Sequence, residues 1–219
     1  MSGLEQAYRD RYDRLLVPVA KQLEEFIRSC LADEPRIDRI SARAKSVSRF
    51  LEKASRLEKG VLKYKDPLNQ IQDQIGARII TFYTDDVPRV SAAAETYFRH
   101  VEARDVTPES EYSFGYFGRH YVMFLPNDVL VEPRTELPTF FELQVKTLFQ
   151  HAWSEANHDL GYKPECELNA EQHRKLAFTA AQAWGADLIF SELHQQTAAA
   201  AALLPGGMSA GRISDSHSI

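Results

Sequence analysis

The stretch Phe140 to Lys163, FFELQVKTLFQHAWSEANHDLGYK, constrains the chain most, because it demands a strand that passes straight into a helix. Phe140, Leu143 and Val145 give its first part bulk and β-branching, while Glu142, Gln144 and Lys146 alternate onto the opposite face. Thr147 suits the N-cap, since its hydroxyl can accept from the amides of the first helical turn. Beyond it His151, Glu155 and His158 keep helical spacing, as do Gln150, Trp153 and Asn157. Alternation alone is commonest in an antiparallel strand with one solvated face. Here that polar face carries a carboxylate, an amide and an ammonium, and Trp153, His158, Tyr162 and Lys163 follow in the next turns. We read the stretch as the floor of a site.

A chain of 219 residues can bury a substantial core and is most simply one domain. The expected layout is a packing helix over 4–31, a core over 36–163 and a helix over 168–197, with 198–219 too poor in apolar surface to hold a structure. No run reaches the length that crosses a bilayer and the first residues lack an apolar signal core, so cytoplasm is the expected compartment. Cys30 and Cys166 make neither a disulfide framework nor a zinc knuckle.

Net charge is −5, yet it is unevenly spread. From Arg36 to Lys65 ten Lys or Arg face three acids, so this segment carries +7 and the remainder −12. A basic stretch on an acidic chain points to a local anionic ligand. Periodicity predicts a helix from Ile37 to Gly60, with Gly60 as its C′ residue. On it Arg49, Lys53 and Arg56 form a ridge that Arg43 and Lys45 extend. A solvated face is the ordinary explanation of such a ridge; a polyphosphate explains the crowding better.

The first helix, Leu4 to Leu31, is amphipathic, is expected to kink or split at Pro18, and shows no chemistry. A strand is predicted over Ile71 to Tyr83, with Asp73 at its entrance. That acid is either an ordinary edge residue or a Mg²⁺ ligand whose shell phosphate oxygens complete. A helix follows from Asp85 or Asp86 to about Arg99, packing through Val87, Val90, Ala94, Tyr97 and Phe98. The loop from Val106 to Gly118 holds Tyr112, Phe114, Tyr116 and Phe117. Its rings either fold onto the core or leave Tyr116 as a platform for a base, a stack worth roughly 1–3 kcal/mol. His120 opens the next strand, and Pro126 ends it. A last amphipathic helix, Glu171 to Gln196, is expected beside the first. The fold class is α/β (α+β): a mixed sheet of about five strands, centred on 75–83, 119–126 and 139–146, flanked by helices.

Taken in order, these segments resemble the synthetase domain of the RelA/SpoT family, over about Arg36 to Lys163. The basic segment resembles the family's ATP clamp, with Arg43, Lys45, Ser46, Lys53 and Arg56 at matching spacing. DQIGAR, with Asp73, Gly76 and Arg78, resembles its D-x-x-G-x-R strand, whose aspartate holds Mg²⁺. Tyr116 to His120 resembles the Y-x-x-x-H acceptor loop. FELQVKT resembles the strand with a catalytic glutamate, here Glu142, with Lys146 where the family usually has arginine. HAWSEANHDLGYK resembles the closing motif that ends in Tyr-Lys.

The resemblance implies a nucleotidyltransferase-like fold and transfer of the β,γ-diphosphate of ATP to the ribose 3′-hydroxyl of GDP or GTP, yielding (p)ppGpp and AMP. It implies Asp73 and Glu142 as catalytic and metal-holding groups, with Mg²⁺ as cofactor. Arg43, Lys45, Ser46, Lys53 and Arg56 would hold ATP; Arg78 either touches ATP or braces Asp73. Tyr116, His120, Gln144, Lys146 and His151 fall on the acceptor side, His120 and Lys146 as phosphate-side or supporting groups. His158 and Lys163 would order the loop. It implies a synthetase alone, since the 35 residues ahead of the basic segment are too few for the family's His-Asp hydrolase domain.

One departure bears on the acceptor. Where the family usually has Lys or Arg before the stacking tyrosine, this chain has Glu109, Ser110 and Glu111, which would repel a 5′-diphosphate. The toxic small-synthetase branch, which pyrophosphorylates the tRNA 3′ end and is paired with an antitoxin, resembles this pattern; other branches use adenine nucleotides. A nucleotide-binding module without activity is the third reading, disfavoured because Asp73 and Glu142 are both present.

Overall fold

The computed structural model describes residues 3–108, 110, 113–115, 117–129, 136–161 and 168–203. The chain begins with helix Gly3–Arg11 (α1), which widens into a π-helical turn at Tyr12–Leu16 before continuing as Val17–Cys30 (α2). Pro18 lies in the first turn of α2, and the Val17 amide bonds back to the Tyr12 carbonyl across the wider turn. The expected break at Pro18 is therefore a change of helical register, one of the standard ways a helix absorbs a residue that cannot donate.

The largest correction concerns the basic segment. It is not one helix from 37 to 60 but a strand, Ile37–Ala44 (β1), a short helix, Val47–Ala54 (α3), and a hairpin of Leu57–Glu58 (β2) and Val61–Leu62 (β3). Arg36 sits at φ 59, a left-handed conformation that stops any helix from running through it. A bulge between Ile37 and Arg39 upsets the pleat, so the three-residue spacing of Ile37 and Ile40 imitates a helical stripe. Pairing with the next strand and side-chain help from α2 decide the outcome: Glu24 accepts the Ala42 amide at 3.0 Å and Arg28 donates to the Ile40 carbonyl, covering the sheet's edge. Gly60 is likewise a turn residue rather than a helix terminator. It follows Lys59, both have positive φ (52° and 83°), and together they make the two-residue turn a tight hairpin requires.

After one helical turn, Pro67–Gln70 (α4), and a 3₁₀ turn at Gln72–Gln74 that holds Asp73, the chain enters strand Ile75–Thr81 (β4). Helix Asp86–Tyr97 (α5), strands His100–Val106 (β5), Gly118–Phe124 (β6) and Phe140–Thr147 (β7), and helices Leu148–Gly161 (α6) and Ala170–Ala202 (α7) complete the order. Val90, Ala94 and Phe98 are buried as expected, whereas Tyr97 is 56% exposed. Strands β1 and β5 lie outside the three central strands that the sequence predicts.

The five long strands form one sheet in the order β1-β4-β7-β6-β5, with β4 and β7 parallel and the other pairs antiparallel. Register sorts the side chains by face. Arg43 pairs with Gly76, Gly76 with Glu142, Arg78 with Gln144 and His120 with Gln144, so these residues share one face. The other face presents Ala77, Ile79, Leu143, Val145, Tyr121 and Met123, all buried beneath α2 and α5. Phe98, just past the end of α5, lies edge-on to both Phe26 of α2 and Phe141 of β7, closing that layer.

Helices α6 and α7 cover part of the polar face. Rather than lying beside the first helix, α7 packs on α6 and reaches the turn before α5: the His194 ring stacks on Tyr83 at 4.2 Å and Ser191 accepts the Thr84 amide at 3.0 Å. It runs to Ala202, past the expected end at 197, and starts on a capping box made by Asn169 and Gln172. The tail from 204 lies outside the described residues.

Candidate functional site

The polar face of the sheet opens into a cleft of about 1040 Å³, lined by β1, α3, the Asp73 turn, β4, β7, α6 and the flank of α2. Asp73 and Glu142 both stand in it, with Arg43, Lys45, Ser46, Arg78, Gln144, His151 and His158.

Asp73 is held by two ammoniums. Its Oδ2 accepts from Lys53 Nζ at 2.8 Å and meets Lys45 Nζ at 3.1 Å. Burial alone would raise this carboxyl, but the two lysines outweigh it and hold the group below its ordinary value. Its other oxygen, Oδ1, is buried without a hydrogen-bond partner. A hard anionic oxygen left unmatched beside a polar cleft suits a divalent cation whose remaining ligands are phosphate and water. Among the described residues no group of three or more His, Cys, Asp or Glu is arranged to hold a metal without such help.

Glu142 projects from the middle of β7. Its Oε1 lies 3.1 Å from His120 Nδ1, and its Oε2 accepts from Gln144 Nε2 at 3.2 Å. Burial pushes the carboxyl up; the His120 hydrogen bond and charge more than compensate, so it titrates below its usual value despite the repulsion from Asp73. Both acids line the same cleft. Glu142 is thus an oriented carboxylate, ionised at neutral pH.

The remaining predicted residues divide. Arg78 does not brace Asp73: its Nη1 pairs with Glu155 of α6 at 2.6 Å on the cleft wall. Burial, then the Arg78 charge, lowers the Arg43 guanidinium. His151 and His158 are lowered first by burial and then by the charges of Lys146 and Arg49 respectively, so both rings are neutral at neutral pH. His151 Nδ1 is buried and unpartnered. Ser46 caps α3 by backbone geometry, its hydroxyl 3.3 Å from that of Ser48.

Two of these side chains do not line the open cleft. Of the two positions open to Lys146, phosphate-side or supporting, its burial fits the second: it is 2% exposed beneath α6, its Nζ donating to Ser154 Oγ at 3.0 Å. Burial, and then the charges of Arg78 and Arg43, depress this ammonium to about 8. Arg56 lies just past α3 with a 60% exposed side chain, 4.0 Å from Glu52. Tyr116 and Lys163 lie outside the described residues, as do Glu109 and Glu111.

Arg49 and Glu155 belong to the cleft without having been assigned a role. Arg49 bridges α3 to α6, its guanidinium meeting His158 at 2.8 and 3.3 Å. The signals were present: Arg49 stood on the basic ridge, and Glu155 shared a helical stripe with His151 and His158. Behind them the half-buried Trp153 donates to Thr179 Oγ1 at 3.1 Å and so joins α6 to α7.

A cleft that sets two carboxylates among arginines and lysines is built for a phosphate-rich ligand. A model of the region found in RelA/SpoT proteins matches residues 42–167. The GTP pyrophosphokinase YjbM of Bacillus subtilis (strain 168) is 32% identical over 167 residues, covering 70% of this chain and 74% of that protein. The small alarmone synthetase 1 of Bacillus subtilis, solved with its product pppGpp, matches with a TM-score of 0.67 at 25% identity, over 88% of this chain and 98% of that one. A GTP pyrophosphokinase family protein from Streptococcus pneumoniae shares the fold with a TM-score of 0.70 at 23% identity, over 94% and 100%. The chain belongs to the RelA/SpoT family and is of the small alarmone synthetase type.

Proposed function

We propose that this protein transfers the β,γ-diphosphate of ATP to the 3′-hydroxyl of GDP or GTP, making (p)ppGpp and releasing AMP. The observation that carries the reading is the meeting of Asp73 and Glu142 on one cleft, the first gripped by Lys45 and Lys53. Pyrophosphoryl transfer asks little covalent chemistry of a protein; it needs in-line placement and neutralised charge.

Arg43, Lys45 and Lys53 hold the donor phosphates, with Ser46 at the start of α3. Asp73 through Oδ1, together with Glu142, would hold a divalent cation, Mg²⁺ by the hardness of the donors. When bound, the cation neutralises charge on the phosphates and leaves the β-phosphorus open to attack. The acceptor 3′-oxygen bonds to that phosphorus as the bridge to the α-phosphate breaks, and AMP departs with the bridging oxygen. Glu142 takes the hydroxyl proton. A carboxylate depressed by His120 is a weak base, so it accepts that proton as the new O–P bond forms rather than beforehand. Gln144 fixes Glu142, while His151 offers its unpartnered nitrogen to the acceptor. Tyr116 stacks the acceptor base, and Lys163 orders the loop around it.

The acidic run Glu109-Ser110-Glu111 favours a second acceptor, the 3′ end of tRNA, which brings no 5′-diphosphate to be neutralised; an antitoxin would then be the expected partner. Adenine nucleotides are a third. Incubation with γ-labelled ATP and GDP, GTP, ATP or deacylated tRNA, one at a time, separates these. Label on the guanine nucleotide is the expected result. Label on RNA alone would move the assignment to the tRNA branch, and label on none would leave a nucleotide-binding module.

A further inference from the structure

The donor end of the cleft leans on a part of the chain in which the sequence shows no chemistry and which lies outside the family match at 42–167. Tyr8 of α1 is completely buried, where a phenylalanine would fill the core equally well. Buried tyrosines keep a hydroxyl that has a partner, and here it donates to the Lys45 carbonyl at 2.8 Å. The ring stacks on Phe50 of α3, with centroids 3.6 Å apart and planes 4° from parallel. Burial, and after it the charge of Asp73, raises the phenol above its ordinary value, so it remains a donor.

One turn further along, Arg11 takes hold of the opposite side of the same site. Its Nη1 donates to the Leu68 carbonyl at 2.7 Å and to Gln74 Oε1 at 3.4 Å. Gln74 in turn secures the turn carrying Asp73, through the Leu68 and Ile71 carbonyls at 2.8 and 2.9 Å. The Lys45 amide closes the ring, donating to the Gln74 carbonyl at 2.8 Å. Two residues of one helix thereby fix the β1–α3 junction and the Asp73 turn relative to each other.

We propose that Tyr8 is a positioning residue for the donor-phosphate end of the cleft, setting where the Lys45 and Lys53 ammoniums meet Asp73. This rests on the ATP-dependent reading above. Without the hydroxyl, the Lys45 carbonyl loses its donor and the junction shifts, while the stacked ring keeps α3 in place. The donor should suffer and the acceptor should not.

The test compares Tyr8→Phe with the parent protein, using calorimetric binding of a non-cleavable α,β-methylene analogue of ATP in the presence of magnesium, together with steady-state transfer. We expect analogue affinity to fall about fivefold, KM for ATP to rise in step, and KM for the acceptor to stay put. A variant that melts earlier yet binds the analogue as the parent does, or loses donor and acceptor affinity alike, would overturn the inference. Should Tyr8→Phe not fold, Arg11→Gln is read against the same outcomes. A parent protein that binds the analogue without transferring label ends the pyrophosphotransfer reading while the binding comparison still decides Tyr8. One that does not bind it at all removes both.

Discussion

At the scale of single residues, one hydrogen bond separates the two acids in kind. Asp73 keeps an oxygen buried and unmatched, whereas both oxygens of Glu142 are engaged by His120 and Gln144. On the proposed reading the first receives the cation and the second stays oriented to take the proton. Glu142→Gln preserves the shape and the Gln144 contact but cannot take a proton. Its transfer rate should fall by about 10³-fold or more, with ATP affinity within about threefold of the parent, as single-turnover kinetics and calorimetry would show. Lys146 supplies a prediction of a different sort. Unfolded, it titrates near the ordinary lysine value of 10.5; folded, near 8. Between those values the unfolded chain holds a proton that the folded chain has released, so stability rises with pH across that interval. Lys146→Met should flatten this slope in denaturant unfolding measured from pH 7.5 to 10.5. The sequence displayed both carboxylates and the alternation of β7, because a strand period of two survives whatever packs on it. It could not show that α6 would close over Lys146, since its fourth-residue neighbours Glu142 and Gln150 carry no sign of which end of the face is roofed.

Among the elements, β1 and α7 are the instructive ones. The basic segment presented a helical period because a bulge and a following helix mimic one, and only pairing with β4 and the covering of its edge by Glu24 and Arg28 resolve the choice. Ridge residues therefore scatter: Arg43 from a strand, Lys53 from a helix, Arg56 beyond both. The long C-terminal helix was legible as a helix, but its seat was not. That seat rests on a buried contact no periodicity reveals, Asp187 of α7 accepting from Thr147 Oγ1 at 2.7 Å where β7 becomes α6. Thr147 also accepts the Gln150 amide at 3.1 Å, the capping role its position suggested. Burial lifts Asp187 from 3.8 to about 6. Here the folded chain binds the extra proton, so stability is fullest below the unfolded value and declines as pH rises through about 6. Asp187→Asn keeps an acceptor for Thr147 and removes the titration. Its melting temperature should lose the decline that the parent shows between pH 4 and 6, read by thermal unfolding across that range.

For the molecule as a whole, the sheet order does the assembling. Placing β7 in the centre, parallel to β4 and antiparallel to β6, sets Glu142 beside Gly76, which pairs in turn with Arg43. One face becomes a core and the other a charged cleft, a division that follows from register once the strands are paired. The family, the mixed sheet and the three central strands could be read from ordered motifs; the edge strands could not, because neither carries an alternation that outweighs its charges. On the proposed reading donor phosphates bind in this cleft, so ATP with magnesium should raise the melting temperature, and Lys53→Ala, which removes one of the two cations on Asp73, should reduce that rise without abolishing folding. The reaction itself has a plainer signature. Following wild-type protein with ATP, magnesium and GDP by phosphorus NMR should show AMP appearing one for one with a 3′-pyrophosphorylated guanosine. Appearance of ADP in place of AMP, or hydrolysis of ATP with no new ester on any acceptor offered, would contradict pyrophosphate transfer at this cleft.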